Sequence, residues 1–195
     1  MALPRSHQTA FTPREIEFLA GNESIAIIPK YKLPRLDLIQ VSMTRTAHPV
    51  GPFRPPVRTV VPLWLALLMK KNQKCSIVPP DWLTVESLTK RLEEEENHPE
   101  FSALPFHYME MSQMILECAS DDLPNASEVR RLLKDLRETR QFKARKGLGE
   151  LDDKWLGMNN LSLMEINEIR PFFTRAFNEM RKLQTNDDQS SYSLP

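Results

Sequence analysis

The chain has 195 residues, 41% hydrophobic and 27% charged, and its 26 Lys plus Arg are balanced by 26 Asp plus Glu. That length fits one or two domains with a sizeable core, and a formal net charge of zero argues against a protein whose main task is gripping nucleic-acid phosphates. The two cysteines, Cys75 and Cys118, show no CxxC pairing, so neither a disulfide framework nor a zinc knuckle is suggested and a reducing compartment fits best.

Residues 1–60 hold eight of the sixteen prolines, so this part cannot carry long helices. One short helix is well marked. Thr12 can cap it, Pro13 suits the first helical position, Glu15 completes a capping box and Gly21 ends it. Residues 24–28 and 36–41 read as short strands with turn residues around 29–34, and 42–58 reads as a connecting loop.

Residues 60–83 read VVPLWLALLMKKNQKCSIVPPDWL. The apolar run 60–69 is half the ~20 residues a bilayer span needs, and it contains Pro62, so it does not cross a membrane. It lies too far along the chain to be a secretory signal, and the opening MALPRSHQT lacks an apolar core. The chain is therefore read as soluble and intracellular, with no membrane partner. Residues 63–73 are predicted to form a short helix, apolar nearly all round and hence buried. Trp64 and Trp82 suit anchors between packed elements. The stretch reads as a joint tying a small proline-rich unit to a helical one.

Pro79-Pro80 breaks the chain, and Thr84 then caps a second helix with Leu83 and Leu88 as its hydrophobic staple. This helix is predicted to fray into the acidic run 93–96. Residues 106–119 form a third helix. At about 100° per residue, Tyr108, Met111, Met114, Ile115, Cys118 and Ala119 share one side, with Met109 and Leu116 well round from them. Only Glu110, Gln113 and Glu117 make a polar strip. The apolar arc is roughly twice the ~100° stripe of a surface helix, so it needs cover on two sides, from its own domain or from a partner chain.

Asn125 with Glu128 reads as another capping box, opening a helix of about 30 Å that runs to Lys146 and stops at Gly147. Its stripe is Val129, Leu132, Leu133 and Leu136. A last helix starts near Leu163 and is interrupted by Pro171, after which Phe173, Ala176, Phe177 and Met180 continue at helical spacing. The polar stretch 185–195 reads as a disordered tail. No internal repeat is present.

The search for chemistry is negative. There is no glycine-rich phosphate loop, no GxSxG elbow and no HExxH, and His7, His48, His98 and His107 lack a paired spacing for a metal. The run 93–96 with His98 and Glu100 is read as a solvated helix end, because adjacent glutamates on a helix point in different directions. No catalytic, cofactor-binding or metal-binding residue is proposed, and the chain is read as not an enzyme. Residues 127–146 carry eight basic and three acidic side chains. Two readings stay open here. One is an electropositive patch for DNA or an acidic partner. The other is a solvated face in which Asp135 and Glu138 pair with neighbouring arginines, while Lys143, Arg145 and Lys146 complement the helix dipole.

Several stretches, in order along the chain, carry a resemblance. They are FTPREIEFLAGNESIAIIP at 11–29, GPF at 51–53, VPLWLALLMKKNQKC at 61–75, PPDWL at 79–83, Tyr108-Met109-Glu110, ASDDLPNASEVRRLLKDLRETR at 119–140 and NLSLMEIN at 160–167. Together they resemble the second-Psf-subunit family of the eukaryotic GINS complex, from about residue 11 to 184, with departures at 42–48, at 143–155 and in the tail. The resemblance implies a heterotetramer of four related subunits, each with a helical A domain and a small β-rich B domain. It implies a mainly α fold: a C-terminal helical bundle, the A domain at 61–184, preceded by the B domain at 1–60. It also implies a non-catalytic scaffold of the nucleus, acting in initiation and elongation of chromosomal DNA replication. Such a scaffold joins the Mcm ring helicase and its Cdc partner and couples indirectly to a replicative polymerase, and the ATPase sites belong to the Mcm ring.

On this reading the helices pack against three sibling subunits through Trp64, Leu67, Tyr108, Met111, Ile115, Leu132, Leu133, Leu136, Phe173 and Phe177. Arg130, Arg131, Lys134 and Arg137 are candidates for a partner or DNA contact. The alternative is a helical nucleic-acid-binding protein that uses the basic helix at 127–146.

Overall fold

The computed structural model describes residues 11–36, 50–148 and 159–190, with the side chains of 177 and 179–190 left out of the description. The first element is α1, Pro13–Ala20, and its start follows from local chemistry. The Thr12 hydroxyl accepts from the Glu15 amide while the Glu15 carboxylate takes the Thr12 amide, and Pro13 sits where no amide partner is needed. Ile16 and Ala20 face inward and the other α1 side chains face out.

Three strands follow: β1, Ser24–Pro29; β2, Thr59–Pro62; and β3, Cys75–Ile77. They form one antiparallel sheet in the order β2-β1-β3. In β1, Ile25 and Ile27 point into the core and alternate with more exposed neighbours, the period-2 pattern of a strand buried on one face. Leu36, where the second strand was predicted, makes only an isolated antiparallel bridge to Val50, and residues 37–41 lie outside the described residues. The sheet takes strands from both sides of residue 60, so the shift in composition there is not a gap in packing.

Helix α2, Leu63–Lys71, follows Pro62 directly. It is not buried all round, as its composition suggested. Leu63, Leu65, Ala66 and Met69 are buried, while Trp64 and Leu68 are 42% and 52% exposed. Helix α3, Val85–Asn97, has the predicted Thr84 cap, accepting from the Ser87 amide at 3.3 Å, and Leu83 and Leu88 are both buried. It does not fray into solvent at 93–96, because Glu95 is 2% exposed and held by two cations.

Helix α4, Tyr108–Cys118, is the central element. It packs against α1, α2 and α5. Tyr108, Met111, Ile115, Leu116 and Ala119 are thus covered by the chain's own elements, while Met109, Met114 and Cys118 stay half-buried. Helix α5, Ala126–Leu148, runs past Gly147, which has open space around it and does not stop the helix. The predicted capping box at its start is also absent. Asn125 takes a left-handed φ of 56°, its carbonyl receives the Glu128 and Val129 amides, and the Glu128 carboxylate is taken by Arg131. Helix α6, Leu163–Ser190, passes through Pro171 without ending and extends into the segment read as a disordered tail. No glycine or further proline lies between Pro171 and Pro195 to stop it. Among the described residues one continuous hydrophobic cluster runs from Ile25 in the sheet to Leu136 in α5.

Candidate subunit interface

The ten apolar residues expected at an interface divide sharply. Tyr108, Met111, Ile115, Leu132, Leu136 and Phe173 are all at most 8% exposed within the single chain. They make up this chain's own interior. Leu67 and Leu133 are half-buried, Trp64 is exposed, and the side chain of Phe177 lies outside the described residues.

Within the same packed helices lies a set of buried ions. Arg140 is 1% exposed and sits one turn beyond Leu136 on the core stripe of α5. Its Nε and Nη2 donate to the two oxygens of Glu165 at 2.7 and 3.0 Å, a fork-to-fork pair. Its Nη1 donates to Glu95 and to the Ser102 carbonyl, and Nη2 also reaches the Asn160 carbonyl at 2.7 Å. Glu95 further accepts from Lys143 and from the Ser102 amide and hydroxyl. Glu165 accepts from the Tyr108 hydroxyl and, as the far half of a Ser162–Glu165 capping box, from the Ser162 amide.

Two carboxylates and two cations thus cancel inside the bundle, tying α3, α4, α5 and α6 together. Burial pushes the Glu95 and Glu165 carboxyls up, but these partners outweigh it and hold both below the usual carboxylate range. The Tyr108 hydroxyl is pushed up by burial and by Glu165, so it stays a donor.

The signals existed in the sequence. Glu95 lies seven residues after Leu88, Arg140 four after Leu136, and Ser162 three before Glu165. A polar residue on an apolar stripe is a buried ion with a partner, not a break in the stripe.

A second polar pair is not satisfied. Glu110, placed in the polar strip of α4 by its spacing, is 5% exposed, and neither carboxylate oxygen has a hydrogen-bond partner. Burial and the carboxylates of Glu165 and Glu17 hold its carboxyl above the usual range. One turn earlier, the Nδ1 of buried His107 is also unpartnered, while its Nε2 lies 3.9 Å from Glu23. Burial depresses the His107 pKa.

The basic face of α5 is largely neutralised within the chain. Arg131 bonds Glu128 at 2.5 Å and Asp135 at 3.0 Å, Arg137 bonds Glu168 at 2.5 Å, and Lys134 lies 3.7 Å from Glu138. Arg130 donates to the Leu116 carbonyl at the end of α4. This pattern fits the solvated-face reading better than a phosphate-binding one. Among the described residues no group of three or more His, Cys, Asp or Glu is placed to hold a metal, and no helix is long and apolar enough to cross a membrane. Cys75 is buried, and burial pushes its thiol up to about 11.

What the chain leaves uncovered is apolar. Trp64 and Leu68, one turn apart, form the outward face of α2. The Trp64 amide donates to the Gly21 carbonyl at the end of α1, the helix on which Phe18 is 72% exposed. Val60, at 65%, stands on the outer face of β2 opposite Ala26. A separate groove of about 460 Å³ runs between α4 and α5, over Met109, Leu116 and Leu133.

Residues 12–78 match the PSF2 N-terminal domain, and residues 82–184 match the GINS complex protein helical bundle domain. The chain belongs to the PSF2 family of GINS complex proteins. The first of these matches takes in all three strands and α2, so the family's N-terminal unit includes β3. Similar relatives, each called DNA replication complex GINS protein PSF2, come from several organisms. That of Candida albicans is 45% identical over 94% of this chain and 88% of its own length. That of Schizosaccharomyces pombe is 42% identical over 94% and 96%, and that of Homo sapiens 40% identical over 88% and 91%. Family membership agrees with the mainly helical fold and with the absence of recognisable catalytic motifs in the sequence.

Proposed function

We propose that this chain is a non-catalytic scaffold subunit of a GINS complex, working in DNA replication in the nucleus and held to its sibling subunits by apolar side chains on its surface. The observation that carries the reading is the outward face of α2. Trp64 and Leu68 stand 42% and 52% exposed on a helix whose other apolar residues are mostly buried, and Phe18 on α1 and Val60 on β2 are exposed as well. An apolar helix face left open in this way marks a protein-binding site more often than ordinary monomer surface. Family membership supplies the class of partner. Docking on the Mcm ring helicase and its Cdc partner, and an indirect link to a replicative polymerase, belong to the same proposal and rest on the family resemblance. So does the division into a β-rich N-terminal unit and a helical unit.

The test is co-expression with the three sibling subunits. Trp64→Glu with Leu68→Glu is expected to leave helix content unchanged, because neither side chain is in the core, and to lose the siblings on purification. Stoichiometric recovery of all siblings with that variant would reject α2 as an interface.

A further inference from the structure

The neutral total hides a basic unit. Residues 24–80 carry nine Lys and Arg against one carboxylate, Asp37, while the rest of the chain carries seventeen against twenty-five. The fold gathers most of these cations at one end of the sheet. Strand β1 is antiparallel to both neighbours, so it ends where β2 and β3 begin. Three loops meet there. The first leaves β1 through a bend at Lys30 and Tyr31, and the Lys30 amide donates to the Lys74 carbonyl at 2.8 Å. Lys74 closes the second loop, which turns from α2 into β3 through Gln73 at φ 57° and has Lys71 at its start. The third enters β2. Leu33 bridges Phe53, which sets Arg54 beside Lys32, and a turn from Arg54 to Val57 leads on to Arg58 and Thr59.

Lys30, Lys32, Arg54, Arg58, Lys71 and Lys74 are all exposed, and among the described residues none has a carboxylate within ion-pair distance. Asp121, whose carboxyl feels the Lys30 charge, is already bonded to Lys70 at 2.6 Å. The basic face of α5 differs, because Arg131, Lys134 and Arg137 each have a carboxylate there. Tyr31, between Lys30 and Lys32, is 61% exposed.

Unmatched cations on three loops repel one another and fit a ligand of repeated negative charge. An acidic polypeptide would draw much of its affinity from apolar contacts, and these loops expose little beyond Tyr31 and Val57. A nucleic-acid strand needs no such bed. Its phosphates take the cations and release counterions, and a base stacks on the tyrosine ring. A stiff duplex keeps its bases stacked on each other and follows three loops poorly, so Tyr31 selects a single strand.

We propose that the basic end of the β2-β1-β3 sheet binds single-stranded nucleic acid, with phosphates on the lysines and arginines of the three loops and one base stacked on Tyr31. This goes beyond the scaffold reading and uses neither Trp64 nor Leu68.

The test is fluorescence anisotropy on the co-expressed four-subunit complex, with oligothymidine, oligouridine and duplex DNA of equal length. Engaging about four phosphates gives a slope of about −3 for log K against log salt. Lys32→Gln with Arg54→Gln is expected to flatten that slope by about 1 and to weaken binding about tenfold at low salt. Tyr31→Ala is expected to weaken binding about tenfold with the slope unchanged, and Tyr31→Phe to restore it. Lys134→Gln on α5 is expected to change nothing. Binding of either single strand supports the inference, and the tighter of the two assigns the preferred sugar. Duplex bound as tightly as both single strands, an unchanged slope in the Lys32 and Arg54 double variant, or Tyr31→Ala equal to the parent overturns it. So does displacement of the strand by an equal concentration of oligoglutamate, which would assign the loops to an acidic polypeptide. Siblings missing from the parent would count against the scaffold reading alone, and the same titration is then read on the full chain.

Discussion

Arg140→Met should be among the most damaging changes that leave the apolar core intact. Methionine fills much of the same space but carries no charge and no donor. The cost follows from what each partner has left. Glu95 keeps Lys143 and both Ser102 donors, so it remains compensated. Glu165 loses the only cation within ion-pair distance among the described residues and keeps the Ser162 donors and the Tyr108 hydroxyl. Breaking one partner out of a buried ion pair costs about 3–5 kcal/mol, and the remaining donors put Glu165 near the lower figure. The Asn160 and Ser102 carbonyls also lose their Arg140 donor, at about 1 kcal/mol each. A total of about 4–5 kcal/mol corresponds to a fall in Tm of about 10–15 °C for a domain of this size.

Denaturant and thermal unfolding followed by circular dichroism would measure it, parent and variant side by side. Adding Glu165→Gln to the Arg140→Met variant should recover part of the loss, because no charged carboxylate is then stranded. Arg140→Lys should fall between, since an ammonium cannot reproduce the forked contact to Glu165. A single variant within about 1 kcal/mol of the parent, or a double variant no better than the single, would mean that Glu165 is solvated and that the ions do not hold the bundle.

Other outcomes follow from the same geometry. Glu110 is held above the usual carboxylate range, so its contribution is fully present below the unfolded pKa near 4.5 and is lost as pH rises through the higher folded value. Glu110→Gln should therefore stabilise the chain at pH 7 and not at pH 4; an equal gain at both, read from urea midpoints, would contradict the unpartnered burial. Glu95 and Glu165 have the opposite sign: their stabilisation is present above about 4.5 and lost as pH falls through their depressed folded values. A parent whose Tm does not decline below pH 4 would count against their ion pairs. Ile115→Asp, at a fully buried position on α4, should cost about 4 kcal/mol or more and abolish native helix content, so a soluble, helical variant would show that α4 is not core. Duplex DNA binding in a filter titration should be weak with a shallow salt dependence, whereas a slope of several phosphate contacts would revive the basic helix as a binding element.

What was legible in the sequence was local. The Thr12–Glu15 box and the Thr84 cap with its Leu83–Leu88 staple need only residues within one turn, and both stand where their spacing put them. Strands β2 and β3 were missed because four and three residues carry no period of their own. They are strands because β1, far away in the chain, offers its two edges. Pro171 and Gly147 are breakers in isolation, yet α6 runs on through Pro171 and α5 is still helical at Gly147 and Leu148. Glu95 was misread for a related reason. Four consecutive glutamates look like a solvated end, yet one of any four adjacent helical residues must face inward, and here a cation waits for it.

The balance of charge in the composition therefore conceals an uneven distribution. Ions that would ordinarily stay in water sit at the centre of the bundle, and aromatic and aliphatic side chains that would ordinarily stay inside stand on α1, β2 and α2. Buried ion pairs contribute little net stability over apolar packing, but they penalise any register in which a partner is missing, so this cluster is better suited to fixing how α3, α5 and α6 meet than to strengthening the fold. The exposed apolar residues have no such use in an isolated chain. Helix α4 buries most of its apolar side chains within its own chain, whereas α2, the more apolar of the two, hides only one side. Partner surfaces are thus better sought in what the folded chain leaves open than in how wide an apolar arc a helical pattern shows.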